Sequence, residues 1–185
     1  MILAFTGAGI SKASGIPTFE EQGDMRKKLD RNYYRMHKDE VDELIDKMLD
    51  TCVKAEPNDA HKALAQYNIP IMTMNVDGLH EEAGSKLVIN MHGKLPDVVM
   101  YGDPAPKYQE AYDLVEKLDV NDILLIVGVS FYTSVSEMIR AMAISRGARV
   151  VVINKRAETD VRAFIENNKD KLGDLEEFLN REIVY

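Results

Sequence analysis

Three polar side chains stand out for the chemistry they could do. His92, followed by Gly93, carries an imidazole that titrates near neutrality, as a general base requires. Asn75 and Asp77, in Thr73-Met74-Asn75-Val76-Asp77-Gly78-Leu79-His80, could orient a substrate amide or a water. Each also has a plain structural use. Asn-x-Asp-Gly is a good turn sequence, and a histidine before glycine serves as a loop residue or a cap. A fourth feature is Gly7-Ala8-Gly9, directly after an apolar run. Glycines there let backbone N–H groups approach a diphosphate, and the N-terminus of a following helix adds a favourable dipole. Tight packing of a strand against its neighbours would demand the same turn. The dinucleotide pattern G-x-G-x-x-G is broken by Lys12, and no acidic residue closes a second strand about 20 residues on. Metal binding is not predicted, because the four histidines and the single Cys52 lack ligand spacing.

The elements that must position these groups are short apolar runs ending in small or polar residues. The runs are Ile2–Phe5, Ile69–Thr73, Leu87–Asn90, Val98–Tyr101, Ile123–Val127 and Val150–Ile153. Runs of four to six residues without polar alternation read as strands buried on both faces, which means a parallel sheet. Helical spacing fills several intervals: Asp59–Tyr67 after Pro57-Asn58, Pro106–Leu118 with Tyr108, Ala111, Tyr112, Val115 and Leu118 near one face, and Val135–Ser145 before Gly147. This alternation predicts an α/β fold, doubly wound on a mostly parallel, Rossmann-like sheet. Ligands of such sheets bind beyond the carboxyl ends of the strands. Five runs deliver small or polar groups there: Gly7 to Pro17, Asn75 to His80, His92, Gly128-Val129-Ser130 and Asn154-Lys155.

The whole chain, 1–185, reads as one domain, with a charged helical insertion over 20–56. Its helices are expected at about Asp24–Asn32 and Lys38–Cys52, and the loop around Phe19 to Gly23 is a candidate lid. His61 is expected to be packed or capping within its Ala-rich helix, His37 to lie at the surface, and Cys52 to be a buried small hydrophobe. The ten methionines, Met72, Met74, Met91 and Met100 among them, are expected to fill the core.

Composition excludes several classes. The net charge is −8 and no basic footprint exists, which argues against a nucleic-acid partner. The acidic balance favours a cationic partner, such as a lysine-bearing peptide. The longest apolar run, Ile123 to Val129, is far short of the roughly 20 residues of a membrane span, and Met1–Gly7 has no signal-peptide pattern. A cytoplasmic, non-membrane protein is expected. The sequence carries no signal for an oligomeric state.

Together these motifs resemble the sirtuin family. Gly7-Ala8-Gly9-Ile10-Ser11-Lys12-Ala13-Ser14-Gly15-Ile16-Pro17-Thr18-Phe19 is similar to that family's cofactor-loop signature. Pro57-Asn58-Asp59-Ala60-His61-Lys62-Ala63-Leu64 resembles its Pro-Asn-x-Ala-His-x-Ala-Leu helix start. Thr73 to His80 resembles its Thr-Gln-Asn-hydrophobic-Asp-Gly-Leu-His segment, His92-Gly93 its catalytic histidine and glycine, and Val98-Val99-Met100-Tyr101-Gly102-Asp103 its acyl-peptide strand. Gly128-Val129-Ser130 with Val135 resembles the ribose segment, and Ile153-Asn154 a later asparagine.

The resemblance implies an NAD-dependent protein-lysine deacylase. By this likeness Gly7, Ala8, Gly9, Ile10 and Ser130 hold the diphosphate and ribose of NAD, and Asn75 and Asp77 form the nicotinamide pocket. Ser14, Ile16, Thr18, Met74, Val76, Gly128, Val129, Val135, Asn154 and Lys155 complete the cofactor site. Phe19 shields the reacting carbon, and His92 is the base acting on a ribose hydroxyl. An acyl-lysine carbonyl oxygen attacks the nicotinamide-bearing carbon, and the products are free lysine, nicotinamide and an O-acyl-ADP-ribose. The acyl-lysine peptide adds a strand beside Val98, Val99, Met100, Tyr101 and Gly102.

The sequence also departs from the family pattern. Only Lys94-Leu95-Pro96 bridges Gly93 to Asp97, where the family carries a zinc ribbon, so zinc-independence is expected. Glu20 stands at the family's arginine position, Thr18 at its usual aspartate and Met74 at its glutamine. The cationic role near the diphosphate could pass to Arg26 or Lys27. These departures keep two alternatives open: NAD glycohydrolysis or ADP-ribosyl transfer, and an NAD or ADP-ribose sensor with little turnover.

Overall fold

The structure is a computed structural model and describes residues 1–18, 21, 23–130 and 133–183. Its centre is a parallel sheet of five strands: β1 (Ile2–Thr6), β2 (Ile71–Thr73), β3 (Val88–Asn90), β6 (Ile123–Val127) and β7 (Arg149–Ile153). The spatial order is β3-β2-β1-β6-β7. The two strands between these in sequence, β4 (Gly93–Lys94) and β5 (Asp97–Val98), form a separate antiparallel ribbon. The helices are α1 (Met25–Lys28), α2 (Arg31–Met36), α3 (Lys38–Lys54), α4 (Asp59–Gln66), α5 (Leu79–Glu82), α6 (Lys107–Glu116), α7 (Ser134–Ser145), α8 (Ala157–Glu166) and α9 (Leu175–Leu179).

Every residue of β1 and β6 is buried, which is why these runs carry no polar alternation. Their side chains alternate between two layers. Leu3, Phe5, Leu124 and Ile126 pack with Ala111, Leu114 and Val115 of α6 and Val135, Ile139 and Ala143 of α7. Ile2, Ala4, Leu125 and Val127 pack on the opposite face with Ala60, Ala63 and Leu64 of α4 and Val161 and Ile165 of α8. Met72 and Met91 are fully buried core fillers.

The expected strand over Val98–Tyr101 is corrected. Only Asp97–Val98 is strand, paired antiparallel with Gly93–Lys94. Tyr101 instead makes an isolated bridge to the helical insertion: its N–H donates to the Leu29 carbonyl and its carbonyl accepts from Arg31, both at 2.9 Å. The expected helix over Asp24–Asn32 is corrected for the same reason. It breaks into α1 and α2, because Asp30 leaves the helix to meet Tyr101 and its carboxylate caps α2 by accepting from the N–H groups of Asn32 and Tyr33. Arg31 then pairs with Asp103 through both carboxylate oxygens. Helices α1 to α3 gather a third apolar cluster of Met25, Leu29, Val41, Ile45 and Cys52, closed by Leu95 and Met100. Among the described residues no helix is long and apolar enough to cross a membrane.

The strand ends are in register. Thr6 lies beside Thr73 and Val127, Thr73 beside Asn90, and Val127 beside Ile153. The chain leaves β1 outward to β2 and β3, then returns past β1 to β6 and β7. The order therefore reverses between β1 and β6, where a crevice forms beyond the carboxyl ends.

Candidate active site

At that reversal the loops meet backbone to backbone. The Gly7 N–H donates to the Val127 carbonyl at 3.0 Å, the Gly9 N–H to the Gly128 carbonyl at 2.9 Å, and the Gly128 N–H to the Ile153 carbonyl at 2.9 Å. A Cβ on Gly7 would stand 2.8 Å from the Gly128 oxygen, and one on Gly9 2.7 Å from the Gly128 Cα. Close packing therefore requires both glycines whatever else they bind. The helix expected after them is a 3₁₀ helix, Ala8–Ser14, ending at Gly15.

Ser11, fully buried on that 3₁₀ helix, is the hub of the polar cluster. Its hydroxyl donates to Asp77 Oδ2 at 2.6 Å and accepts from Asn75 Nδ2 at 3.1 Å. Asn75 Nδ2 also donates to the Gly7 carbonyl at 3.2 Å, and the Asn75 N–H to Thr73 Oγ1 at 3.0 Å. Asp77 Oδ1 accepts the Leu79 N–H at 3.0 Å. Burial raises the Asp77 pKa against the opposing hydrogen bonds from Ser11 and Leu79. Sequence reasoning quoted Ser11 within the glycine motif but gave it no role.

Ala8, Ser11, Ile16, Asn75, Val76 and Asp77 line a cavity of about 150 Å³ that α3 closes with Leu44, Met48 and Cys52. Burial pushes the Cys52 thiol up to about 11, so it stays protonated. The acceptors facing this space suit a neutral amide. Both Asn75 N–H groups are engaged, which leaves its carbonyl oxygen to accept, and the Asp77 carboxylate adds further lone pairs.

His92 stands at the end of β3, half-buried between two aromatic residues. Its Nε2 is 2.6 Å from the Tyr108 hydroxyl, and the Tyr101 ring meets it edge-on at 6.2 Å. Burial lowers its pKa, and a backbone hydrogen bond with Met74 works against this. The ring is therefore neutral at pH 7 and able to take a proton.

The remaining sequence-predicted residues divide. Gly128 and Val129 form the crevice floor, with Val129 buried and its carbonyl accepting from Asn154 Nδ2 at 3.1 Å. Ser130 and Lys155 are exposed at the rim. The side chains of Ile10 and Val135 are in the core, so only their backbone can face a ligand. Ser14 accepts from Asn58 Nδ2 at 3.0 Å, and Thr18 donates to Glu21 through its N–H and its hydroxyl. Met74 packs half-buried against the core. Arg26 lies over Tyr101 and Lys27 over Tyr33. Phe19 and Glu20 fall outside the described residues.

Beneath the cluster sits a pair of histidines. His61 Nε2 is 3.4 Å from Ser11 Oγ, His80 Nε2 is 2.9 Å from Thr6 Oγ1, and their rings stack tilted at 4.8 Å. Neither Nδ1 has a partner among the described residues. Burial pushes His61 down to about 4 and His80 well below its ordinary value, with His61 adding to the second shift. The folded state keeps both neutral, while the unfolded chain takes up protons below about pH 6.5. Stability from these groups is complete above that pH and is lost as pH falls toward 4. His61 alone accounts for a loss of about 2 kcal/mol between pH 7 and pH 5, with His80 acting in the same sense and Asp77 opposing. Urea unfolding at the two pH values measures this, and equal unfolding free energies would refute it.

A crevice at a strand-order reversal, floored by glycine backbone and flanked by an amide-accepting cavity and a neutral histidine, defines a Rossmann-like nucleotide-site architecture. The sequence model of the Sir2 family matches residues 7–96. An NAD-dependent protein deacetylase from Pyrobaculum aerophilum is 33% identical over 82% of this chain and 78% of its own length. An NAD-dependent protein deacetylase from Bacillus cereus is 29% identical over 97% of this chain and 91% of its own. A crystal structure of a Sir2 homologue–NAD complex superposes with a TM-score of 0.80 at 21% identity, covering 93% of this chain and 90% of that one. A mutant Sir2 homologue in complex with ADP-ribose does so with a TM-score of 0.83, at 21% identity over 92% of each chain. The structural likeness shows the fold, and the sequence relatives show the family: the chain belongs to the Sir2, or sirtuin, family.

Proposed function

We propose that the chain is an NAD-dependent protein-lysine deacylase that releases nicotinamide and an O-acyl-ADP-ribose. One observation carries the reading. The hydrogen-bonded Ser11–Asn75–Asp77 cluster and the neutral His92 stand at the carboxyl ends of the neighbouring strands β1, β2 and β3. The deacetylase relatives support the same reaction class.

NAD, when bound, supplies a ribose carbon joined to a cationic nicotinamide leaving group. The cavity fits that carboxamide-bearing ring in size and in acceptors. Asn75 Oδ1 and the Asp77 carboxylate accept from the amide, and Ser11 fixes both. The backbone of Ala8 and Ser130 faces the diphosphate and ribose, on a floor shaped by Gly7, Gly9 and Gly128, whose N–H groups are held in backbone hydrogen bonds. His92 Nε2 takes the proton of a ribose hydroxyl. The peptide lies along Val98 to Gly102, and a two-residue hairpin stands where the family's zinc ribbon would be, so turnover needs no zinc. The setting is cytoplasmic.

A second reading, NAD glycohydrolysis or ADP-ribosyl transfer, is favoured by one observation. Tyr101 already uses both main-chain groups on Leu29 and Arg31, which closes part of the edge a peptide would pair with. Product chromatography after incubation with NAD, with and without an acetyl-lysine peptide, separates the two. The expected result is nicotinamide and acetylated ADP-ribose only with peptide, at a rate unchanged by a zinc chelator. Nicotinamide and free ADP-ribose without peptide would establish the second reading.

A further inference from the structure

The Tyr108 hydroxyl has no packing reason to exist. Tyr108 lies in the first turn of α6, whose Ala111, Leu114 and Val115 are buried in the core, so the helix is a fixed platform. The ring packs against that core and against Tyr112 at 6.3 Å, and phenylalanine would pack equally there. What phenylalanine lacks is the 2.6 Å contact with His92 Nε2.

The direction of that hydrogen bond follows from the other contact of the imidazole. The Met74 N–H already donates to the Thr6 carbonyl, so Met74 meets the His92 ring through its own carbonyl. A ring proton directed at that carbonyl corresponds to the tautomer in which Nε2 accepts, and this is the tautomer assigned to the 2.6 Å Tyr108 contact. Burial, with Tyr101 and Tyr112 adding, raises the Tyr108 pKa, so the phenol stays protonated and donates. Among the described residues, the titratable groups that contact the imidazole are Tyr101 and Tyr108.

We propose that Tyr108 is a positioning residue for His92: its hydroxyl donates to Nε2 while no ribose is present, fixes the tautomer that can accept a proton there, and gives way to the ribose hydroxyl when NAD enters. This rests on the reading of His92 as the base. Phenol and ribose hydroxyl are both O–H donors to one nitrogen, so the exchange trades one neutral hydrogen bond for another. The cofactor-free site is thereby kept from turning His92 into an unproductive orientation, and entry of NAD must displace one contact.

Tyr108→Phe, which keeps the ring and the fold, provides the test. A hydrogen bond donated to the neutral imidazole favours the neutral form, so its removal raises the titration midpoint. The His92 ring, followed by NMR in cofactor-free protein, is expected to titrate roughly half to one pH unit higher in the variant. The NAD dissociation constant, measured by calorimetry, is expected to fall about two- to fivefold, because nothing has to be displaced. In a His92→Ala background the same substitution is expected to leave NAD affinity unchanged, as required if Tyr108 acts through the imidazole. An unmoved His92 midpoint, or an affinity change that persists without His92, would overturn the proposal. If His92→Ala retains full turnover, the base assignment falls and the exchange falls with it. If His92→Ala is inactive while the Tyr108→Phe midpoint is unmoved, Tyr108 alone is refuted.

Discussion

Replacement of His92 by alanine is expected to lower kcat for acetyl-lysine peptide turnover by about a hundred- to ten-thousand-fold, the range for loss of a general base. The thermal midpoint should hardly move. His92 is half-buried, its ring is bounded by Tyr101 and Tyr108, and it lies outside the three apolar clusters. Its removal therefore opens no core cavity. NAD binding should persist, because the Ser11–Asn75–Asp77 cluster and the Gly7–Gly9 and Gly128 backbone do not depend on the imidazole. The combination decides between explanations. A loss of turnover with intact NAD affinity places His92 in the chemical step. A matching loss of affinity would make it a binding group, and a change below about fivefold would remove it from the mechanism.

The expected acid limb of the wild-type profile has the same origin. Burial holds the imidazole below its ordinary pKa, so it is already deprotonated at pH 7 and becomes inactive only as the pH falls through that lowered value. A stronger base would need solvent or a carboxylate partner. Here burial between phenol rings keeps the ring neutral, against the opposing pull of the Met74 backbone.

Much of this was legible in the sequence for a specific physical reason. The inner strands β1, β2 and β6 are buried on both faces, so their apolar runs are unbroken. The edge strands β3 and β7, also expected to be buried on both faces, are partly exposed. In each case the residue after the run sits at one edge of the sheet. Asn75, Asp77 and His92 could be singled out because polar residues right after such runs have nowhere else to go. The Val98–Tyr101 run misled because its pairing partners come from Leu29 and Arg31, in a segment that reads as plain helix. Asp30 held the clue, since Leu-Asp-Arg-Asn is also an N-cap sequence. Ser11 was not legible as the hub because its partners lie 64 and 66 residues away. Tyr108 was hidden in another way. It falls on the apolar face of an amphipathic helix, where spacing accounts for the ring and says nothing about the hydroxyl.

Gly128→Ala is expected to cost about 3 kcal/mol or more, a large share of the roughly 5–15 kcal/mol that holds a domain folded. Two terms add. Gly128 has φ of 63°, a left-handed conformation that costs an alanine about 1 kcal/mol. Its Cβ would also stand 2.2 Å from the Ile10 nitrogen and 2.5 Å from the Gly9 carbonyl carbon. These are backbone atoms tied to the ends of β1 and β6, so they cannot retreat without breaking the Gly7–Val127 and Gly9–Gly128 hydrogen bonds. Gly15→Ala isolates the first term, since Gly15 has φ of 86° and no atom within 4 Å of its would-be Cβ. Its expected cost is about 1 kcal/mol. Urea midpoints of the two variants give the comparison, and equal costs would refute the close-packing account. A larger loss at Gly128 means the crevice floor is set by contact between two backbones before any ligand arrives. Weakened NAD binding in that variant would then report a displaced loop, whereas substitutions at Ser11 or Asn75 would report the contacts themselves.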